Sequence, residues 1–300
     1  MALLSHPITK SKAPHFRDVI ELLKPITWFP PMWAFMCGVV SSGISISDRW
    51  QFMLSGMILA GPLVCGTSQA VNDWYDRHVD AINQPERPIP SGRIAGQWGL
   101  YIAIAGTALS LMISAMMGLW VLAATIFGLC LAWGYSAPPL RLKMSGWWGP
   151  AAVALCYEGL TWFTGATVMV GGLPHSSTLI ILTLYTLGAH GIMTLNDFKA
   201  VAGDRQMGIK SLPVTMGVSN AARFACLVMV VPQAGVVGLL LQWALPWHAA
   251  IITVALIGQI ALMPRLLKNP AENAPWYGGT GVTLYVLGML VSAFGIGTLA

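Results

Sequence analysis

Residues 51–80 read QFMLSGMILA GPLVCGTSQA VNDWYDRHVD, and the change of character at Asn72 decides the fold. The first part, 51–72, holds no charged side chain and is long enough to cross a bilayer, for which about 20 apolar residues suffice. The second part sets Asp73, Asp76 and Asp80 at i, i+3 and i+7, one stripe on a helix, with Asn72 beside Asp76 at i+4. An apolar span that runs into clustered carboxylates is a membrane boundary carrying chemistry.

The rest of the chain has the same character. Of 300 residues, 56% are apolar and 9% charged, too few charges to cover a water-soluble surface, since an average soluble domain has about 25%. Nine apolar segments can be marked, near 26–46, 51–72, 98–118, 120–136, 148–171, 178–196, 222–243, 247–267 and 280–299. They predict an all-α integral membrane fold of nine transmembrane helices around a central cavity, in a single domain over 26–300. Residues 1–25 precede it; Phe16, Val19, Ile20, Leu22 and Leu23 alternate there with Arg17, Asp18, Glu21 and Lys24, as in a short amphipathic helix on the membrane surface, ended by Pro25. No cleavable signal is expected in this leader.

Basic residues give the orientation. With nine spans and a cytoplasmic N-terminus, fifteen of the sixteen Lys and Arg fall inside: Lys10, Lys12, Arg17, Lys24, Arg77, Arg87, Arg93, Arg141, Lys143, Lys199, Arg205, Lys210, Arg223, Arg265 and Lys268. Only Arg49 is left outside, the bias expected of cytoplasmic loops. The +5 net charge is therefore topological and does not imply a nucleic-acid partner. The five cysteines are scattered through apolar segments without zinc or thioredoxin spacing and read as reduced packing residues.

The acidic device recurs. Asn72-Asp73-Trp74-Tyr75-Asp76 through Asp80 aligns with Asn196-Asp197-Phe198-Lys199-Ala200 through Asp204, and Arg87-Pro88-Ile89-Pro90 loosely with Lys210-Ser211-Leu212-Pro213. Two pseudo-repeated halves facing one cavity are expected. In the second copy Ala200 replaces the middle carboxylate, so fewer ligands remain there. Like charges packed this closely repel, and a cation should sit against them. Carboxylate and amide oxygens suit Mg2+, which shares its coordination with substrate phosphates. The candidate metal ligands are Asn72, Asp76, Asp80, Asp197 and Asp204; the alternative is a solvated acidic loop end.

The basic residues complement the acids. Arg87, Arg93, Arg141, Lys143, Lys199, Arg205 and Lys210 lie on the same face, and a diphosphate needs both metal ions and direct Arg or Lys contacts. Arg87 and Lys143 stand in proline-bearing loops, whose wandering the fixed φ of proline limits. For any one of these residues a purely topological role is equally open. Within the spans, Glu158 is either a functional carboxyl or a protonated group bonded to a neighbouring helix. His190 is either a ligand to a magnesium-bearing pigment or, the commoner role, a hydrogen-bonded core histidine. Trp28, Trp50, Trp98 and Trp247 read as interfacial anchors; Trp147, Trp148 and Trp162 are candidates to wall a cavity for a flat ring or an isoprenoid tail.

The Asn-Asp-x-x-Asp-x-x-x-Asp cluster, the Tyr135–Lys143 loop and the second cluster resemble those of the UbiA-type intramembrane prenyltransferases. The longer runs Asn72–Gly92, and Asn196–Lys199 with Gly203-Asp204-Arg205 and Lys210–Val214, are similar to the chlorophyll and bacteriochlorophyll synthases of that family; Leu23–Pro31 leans to the bacteriochlorophyll side. Ala200 departs from the wider family, where Asp is usual. The resemblance implies Mg2+-dependent transfer of a geranylgeranyl or phytyl group from its diphosphate to the propionate of bacteriochlorophyllide. Asp76, Asp80, Asp204, Arg87 and Lys143 would be catalytic. Asn72, Asp73, Tyr135, Arg141, Glu158, His190, Asn196, Asp197, Lys199, Arg205 and Lys210 would bind substrate. It further implies a bacterial inner or intracytoplasmic photosynthetic membrane, an active cytoplasmic face, lipid around the helices, no nucleic acid, and room for contact with other pigment-synthesis enzymes.

Other acceptors stay open: chlorophyllide, a quinone precursor or haem. A transporter would need an inverted repeat and midplane charges, whereas this repeat is parallel and its charges lie at one surface. A non-catalytic pigment scaffold would need histidines in several spans, and only His190 lies clearly inside one.

Overall fold

The computed structural model describes residues 13–300. Lys10, Lys12 and the first twelve residues of the 1–25 segment lie outside the described residues. The elements, in chain order, are α1 (Phe16–Leu22), α2 (Phe29–Ser41), α3 (Ile46–Asn83), α4 (Trp98–Met117), α5 (Leu119–Ser136), α6 (Trp148–Val170), α7 (Ser176–Lys199), α8 (Val201–Gln206), α9 (Leu212–Met216), α10 (Val218–Gln242), α11 (Pro246–Lys268) and α12 (Pro270–Gly297, broken at Thr280). The fold is all-α, as expected.

Eight of these helices, α3 to α7 and α10 to α12, are long and apolar enough to cross a membrane. The first expected span, 26–46, differs. It folds as a 3-10 turn, Pro25–Thr27, followed by the 13-residue α2. The prolines Pro25, Pro30 and Pro31 supply no N–H, which suits the start of a helix and shortens this one. The boundary at Gly118 is a single-residue hinge: its φ of 121° favours glycine, so α4 and α5 separate there and fold back on each other.

α3 departs most from the sequence reading. The helix does not stop at residue 72 but runs on to Asn83. A straight helix of that length would rise about 57 Å, well past a hydrocarbon core of about 30 Å. The acidic stripe therefore stands on a helix that projects beyond the end of the span expected at residue 72. Leu59–Cys65 is π-helical around Pro62, whose missing N–H breaks the regular ladder, and Leu155–Gly159 in α6 is π-helical too.

Close approach of small residues holds the bundle together. A Cβ on Gly38 of α2 would lie 2.1 Å from the Trp162 carbonyl oxygen, and one on Gly165 of α6 would lie 2.1 Å from that of Phe35. Two helices thus touch backbone to backbone, the packing available where lipid supplies no hydrophobic drive between helices. Trp162 is fully buried against this seam, stacked 5.7 Å from Tyr185 and donating to Ser41 Oγ at 3.0 Å. It belongs to the core and not to a cavity wall. Arg49, the lone cation assigned to the far side, donates to the Val168 carbonyl at 3.0 Å near the C-terminus of α6, where a positive charge is favoured.

At the opposite end, α1 and the loops 84–97 and 137–147 converge on the end of α3, and the segment 200–217, which carries α8 and α9, pairs with the second of these loops. α1 does more than rest on a surface. Leu22 is fully buried with Ala70, Val71, Ile94 and Ala103, while Phe16 stays exposed. Arg93 clamps the helix, donating to Asp18 at 2.6 Å and to both Glu21 oxygens at 2.6 and 2.7 Å. That guanidinium holds the Glu21 carboxyl below its ordinary pKa.

Candidate active site

One cavity of about 670 Å³ opens among α3, α5, α6 and α7. From the expected site residues it gathers Asn72, Asp76, Tyr135, Lys143, Asn196, Asp197 and Asp204. Both acidic clusters therefore border one space. The charges of Asp197, Asp76 and Asp204 all reach Tyr135, and that of Asp204 reaches Asp197.

The first cluster divides between two faces of α3. Around a helix Asp80 lies about 20° from Asp73, but Asp76 lies about 60° away. Asp76 and Asn72 turn to the cavity. Asn72 Nδ2 donates to Asp76 Oδ2 at 2.9 Å and to Ser136 Oγ at 3.1 Å, and Lys143 Nζ donates to Asp76 Oδ1. Asp73 and Asp80 turn away. Asp73 is buried and receives Lys24 Nζ at 2.6 Å and Arg87 at 3.3 Å, while Asp80 receives Arg87 at 2.7 Å. Asp73, Asp80 and Arg87 do not line the cavity.

The second cluster is not one helix. Asn196–Lys199 is a 3-10 turn, and the chain passes Ala200 before α8 supplies Asp204. A parallel β-bridge pairs Ser145 with Lys210, with Gly146 N–H donating to Lys210 O at 2.8 Å and Lys210 N–H to Met144 O at 3.0 Å. This bridge ties the Lys143 loop to the second acidic loop. Gly146 is required at the crossing, since a Cβ there would meet Leu212 N at 2.3 Å. Lys199, Arg205, Lys210 and Arg141 are exposed, lie outside the cavity lining, and form no ion pair among the described residues.

The two intramembrane candidates also stand off the lining. Glu158 is buried with Oε2 lacking a hydrogen-bond partner, although its neighbours Cys156 and Tyr157 border the cavity. His190 Nε2 meets the Trp147 carbonyl at 3.1 Å, and its Nδ1 is buried without a partner. Neither ring nitrogen is presented to a large ligand, which leaves the core reading of this histidine.

Several lining residues were missed. Ser68 and Gln69 lie one turn before Asn72 on the same face of α3, so helical periodicity would have found them. Tyr157 was not findable: a π turn aims it into the cavity, where its hydroxyl lies 3.3 Å from Gln69 Nε2 and 3.4 Å from Cys65 Sγ. Thr27 lines the cavity from the turn that Lys24 anchors. Lys24 reads in the sequence as a topology signal and as a polar residue of the amphipathic segment, yet it is the nearest cation to buried Asp73. Lys24→Met should destabilise the protein by about 1–3 kcal/mol, because buried Asp73 is left with Arg87 alone, at 3.3 Å. Adding Asp73→Asn should restore most of the loss in thermal melting; an unchanged melting temperature in Lys24→Met would refute the anchor.

Among the described residues, no three carboxylate, imidazole or thiol groups converge as a closed metal site. The donors present are hard oxygens of Asn72 and Asp76 on one side and Asn196, Asp197 and Asp204 on the other. That set fits Mg2+, which takes one or two carboxylates and completes its shell with water and substrate phosphate.

Residues 28–296 match the model of the UbiA prenyltransferase family. The bacteriochlorophyll synthase 33 kDa chain of Cereibacter sphaeroides is 59% identical, over 94% of both chains. That of Rhodobacter capsulatus is 53% identical over 96% of both. The chloroplastic chlorophyll synthase of Oryza sativa is 34% identical over 91% of this chain and 75% of its own. Among solved structures, a UbiA homologue from Archaeoglobus fulgidus bound to DMAPP and Mg2+ superposes with a TM-score of 0.71, covering 94% of this chain and all of the other, at 19% identity.

Proposed function

This chain belongs to the UbiA prenyltransferase family, and from that membership we propose that it transfers a geranylgeranyl or phytyl group from its diphosphate to the propionate of bacteriochlorophyllide. The observation that carries the chemistry is that two acidic clusters and Lys143 border one cavity. The choice of acceptor rests on the high identity to the bacteriochlorophyll synthases.

Asn72, Asp76, Asp197 and Asp204 would hold Mg2+, which when bound neutralises the diphosphate and stabilises it as a leaving group. The chain's own residues do the rest. Lys143, already at Asp76, contributes positive charge beside the leaving oxygens. The exposed cations Arg141, Lys199, Arg205 and Lys210 around the mouth draw the diphosphate in. The allylic C–O bond breaks, its electron pair leaves with the diphosphate, and a propionate oxygen bonds to the freed carbon. The propionate is anionic at neutral pH, so no base has to remove a proton. Leu131, Val153, Ile192 and Met193 keep water from capturing the cation. Arg87 and Asp80 act at a distance, fixing the end of α3.

We place the N-terminus and the site on the cytoplasmic side of a bacterial inner or photosynthetic membrane. α2 would be the ninth, shorter span, and the two acidic halves a parallel pseudo-repeat. The distribution of Lys and Arg supports this orientation. Purified protein given geranylgeranyl diphosphate and bacteriochlorophyllide should release diphosphate and form the ester. Chelation with EDTA should reduce both at least 100-fold, and Mg2+ should restore them. In sealed vesicles, externally added prenyl diphosphate should react only where the cytoplasmic face is outward. Ester formed on haem or 4-hydroxybenzoate in preference to the pigment would overturn the acceptor.

A further inference from the structure

The main cavity matches one of the two substrates in volume. Scaled from the 150 Å³ that accommodates benzene, or about 25 Å³ per non-hydrogen atom, a C20 prenyl diphosphate of about 29 such atoms occupies about 700 Å³. That fills the 670 Å³ available. On the same scale a bacteriochlorin of about 45 non-hydrogen atoms needs about 1,100 Å³ more. A ring that stays outside, with only its propionate arm entering, leaves that space to the prenyl chain.

One rim is built to receive a flat apolar ring. Trp147 and Trp148 stand between Gly146 and Gly149, both of which line the cavity. Their side chains are nonetheless exposed, the residues being 50% and 68% accessible. Trp147 is held in place from several sides. Its ring packs edge-on against Phe224 of α10 at 5.1 Å and tilted against His190 of α7 at 6.0 Å. Its carbonyl meets His190 Nε2, and the backbone N–H groups of both tryptophans point to Ser145 Oγ at 3.3 Å. An indole fixed in this way loses little freedom when a ligand stacks on it. An interfacial anchor needs no such support: Trp247, 81% exposed, has no aromatic partner among the described residues.

We propose that the Trp147–Trp148 rim, buttressed by His190 and Phe224, is the docking platform for the tetrapyrrole face of the acceptor, from which the propionate reaches past Gly146 and Gly149 to the allylic carbon. The inference rests on the acceptor proposed above. The ring, soluble in lipid, arrives from the membrane side while the diphosphate occupies the cavity, so the two substrates do not compete for space. His190 is a positioning residue here, setting the Trp147 backbone and not touching the ring's metal.

The test measures initial rates with the full-length protein while each substrate is varied in turn. Trp147→Ala/Trp148→Ala should raise the KM for bacteriochlorophyllide by about 10-fold or more. The KM for geranylgeranyl diphosphate should stay within two-fold, and Trp147→Phe should recover most of the acceptor affinity. Phe29→Ala, an exposed aromatic on α2 beside cavity-lining Pro30, should change neither. If the double variant is unstable, Trp148→Ala alone decides, because its exposed ring can be removed without disturbing the core. An unchanged acceptor KM in a folded variant, an equal rise for both substrates as loss of an anchor would give, or an effect of Phe29→Ala alone overturns the platform. Failure of the unmodified protein to esterify any tetrapyrrole would count against the proposed function instead.

Discussion

Asp76→Ala should lower kcat/KM for prenyl transfer by about 10³-fold, the scale on which removal of one group stabilising developing charge is felt. Asp76 is the one carboxylate of the first cluster that lines the cavity, and Asn72 and Lys143 both point at it. Its loss removes one of the proposed Mg2+ ligands and leaves Lys143 without its counterion. Diphosphate release and ester formation should fall together, since both follow from the same bond cleavage. Asp80→Asn is the informative companion. Because Asp80 pairs with Arg87 away from the cavity, it should reduce kcat less than about 10-fold while lowering stability by about 1–3 kcal/mol. Equal losses of kcat in the two variants, at matched folded yield, would show that the acidic stripe acts as a whole.

Gly38→Ala/Gly165→Ala should prevent most of the protein from reaching its folded state. Each new methyl would sit 2.1 Å from a main-chain carbonyl oxygen of the facing helix. Backbone cannot turn aside as a flexible side chain can. Relief requires α2 and α6 to separate, breaking the Trp162–Ser41 hydrogen bond across the seam and loosening the wall that Thr27 and Pro30 give the cavity. Overpacking of this kind costs about 3 kcal/mol or more per pair of helices, read as lost folded yield and a lower melting temperature. Gly238→Ala on α10, with nothing near its added methyl, should be neutral or slightly stabilising, as alanine favours helix by about 1 kcal/mol. Wild-type melting of the double variant would mean that the two helices do not approach so closely.

The membrane class, the helix boundaries near Gly118 and the two acidic clusters were legible in the residues themselves, because each depends on local composition or spacing. So was the family resemblance, carried by the runs after Asn72 and Asn196. The first expected span, 26–46, was legible only as an apolar run; whether that run forms a full helix depends on Pro25, Pro30 and Pro31 at its start. The stripe of Asp73, Asp76 and Asp80 was read as one unit, yet Lys24 and Arg87 hold two of its members away from the cavity. Those partners are 49 and 14 residues from Asp73, and only the folded chain chooses them.

Composition alone thus determined that this chain must live in lipid, because a surface with so few charges cannot face water. Spacing determined that its carboxylates gather near the ends of two helices. Which carboxylates share a cavity, which are locked in ion pairs, and which tryptophans stand at its rim were decided by tertiary structure. A side chain's role at such a site depends on what faces it across the gap. Residues far apart in sequence supply that neighbour: Gln69 meets Tyr157 across 88 residues, and Trp147 meets His190 across 43.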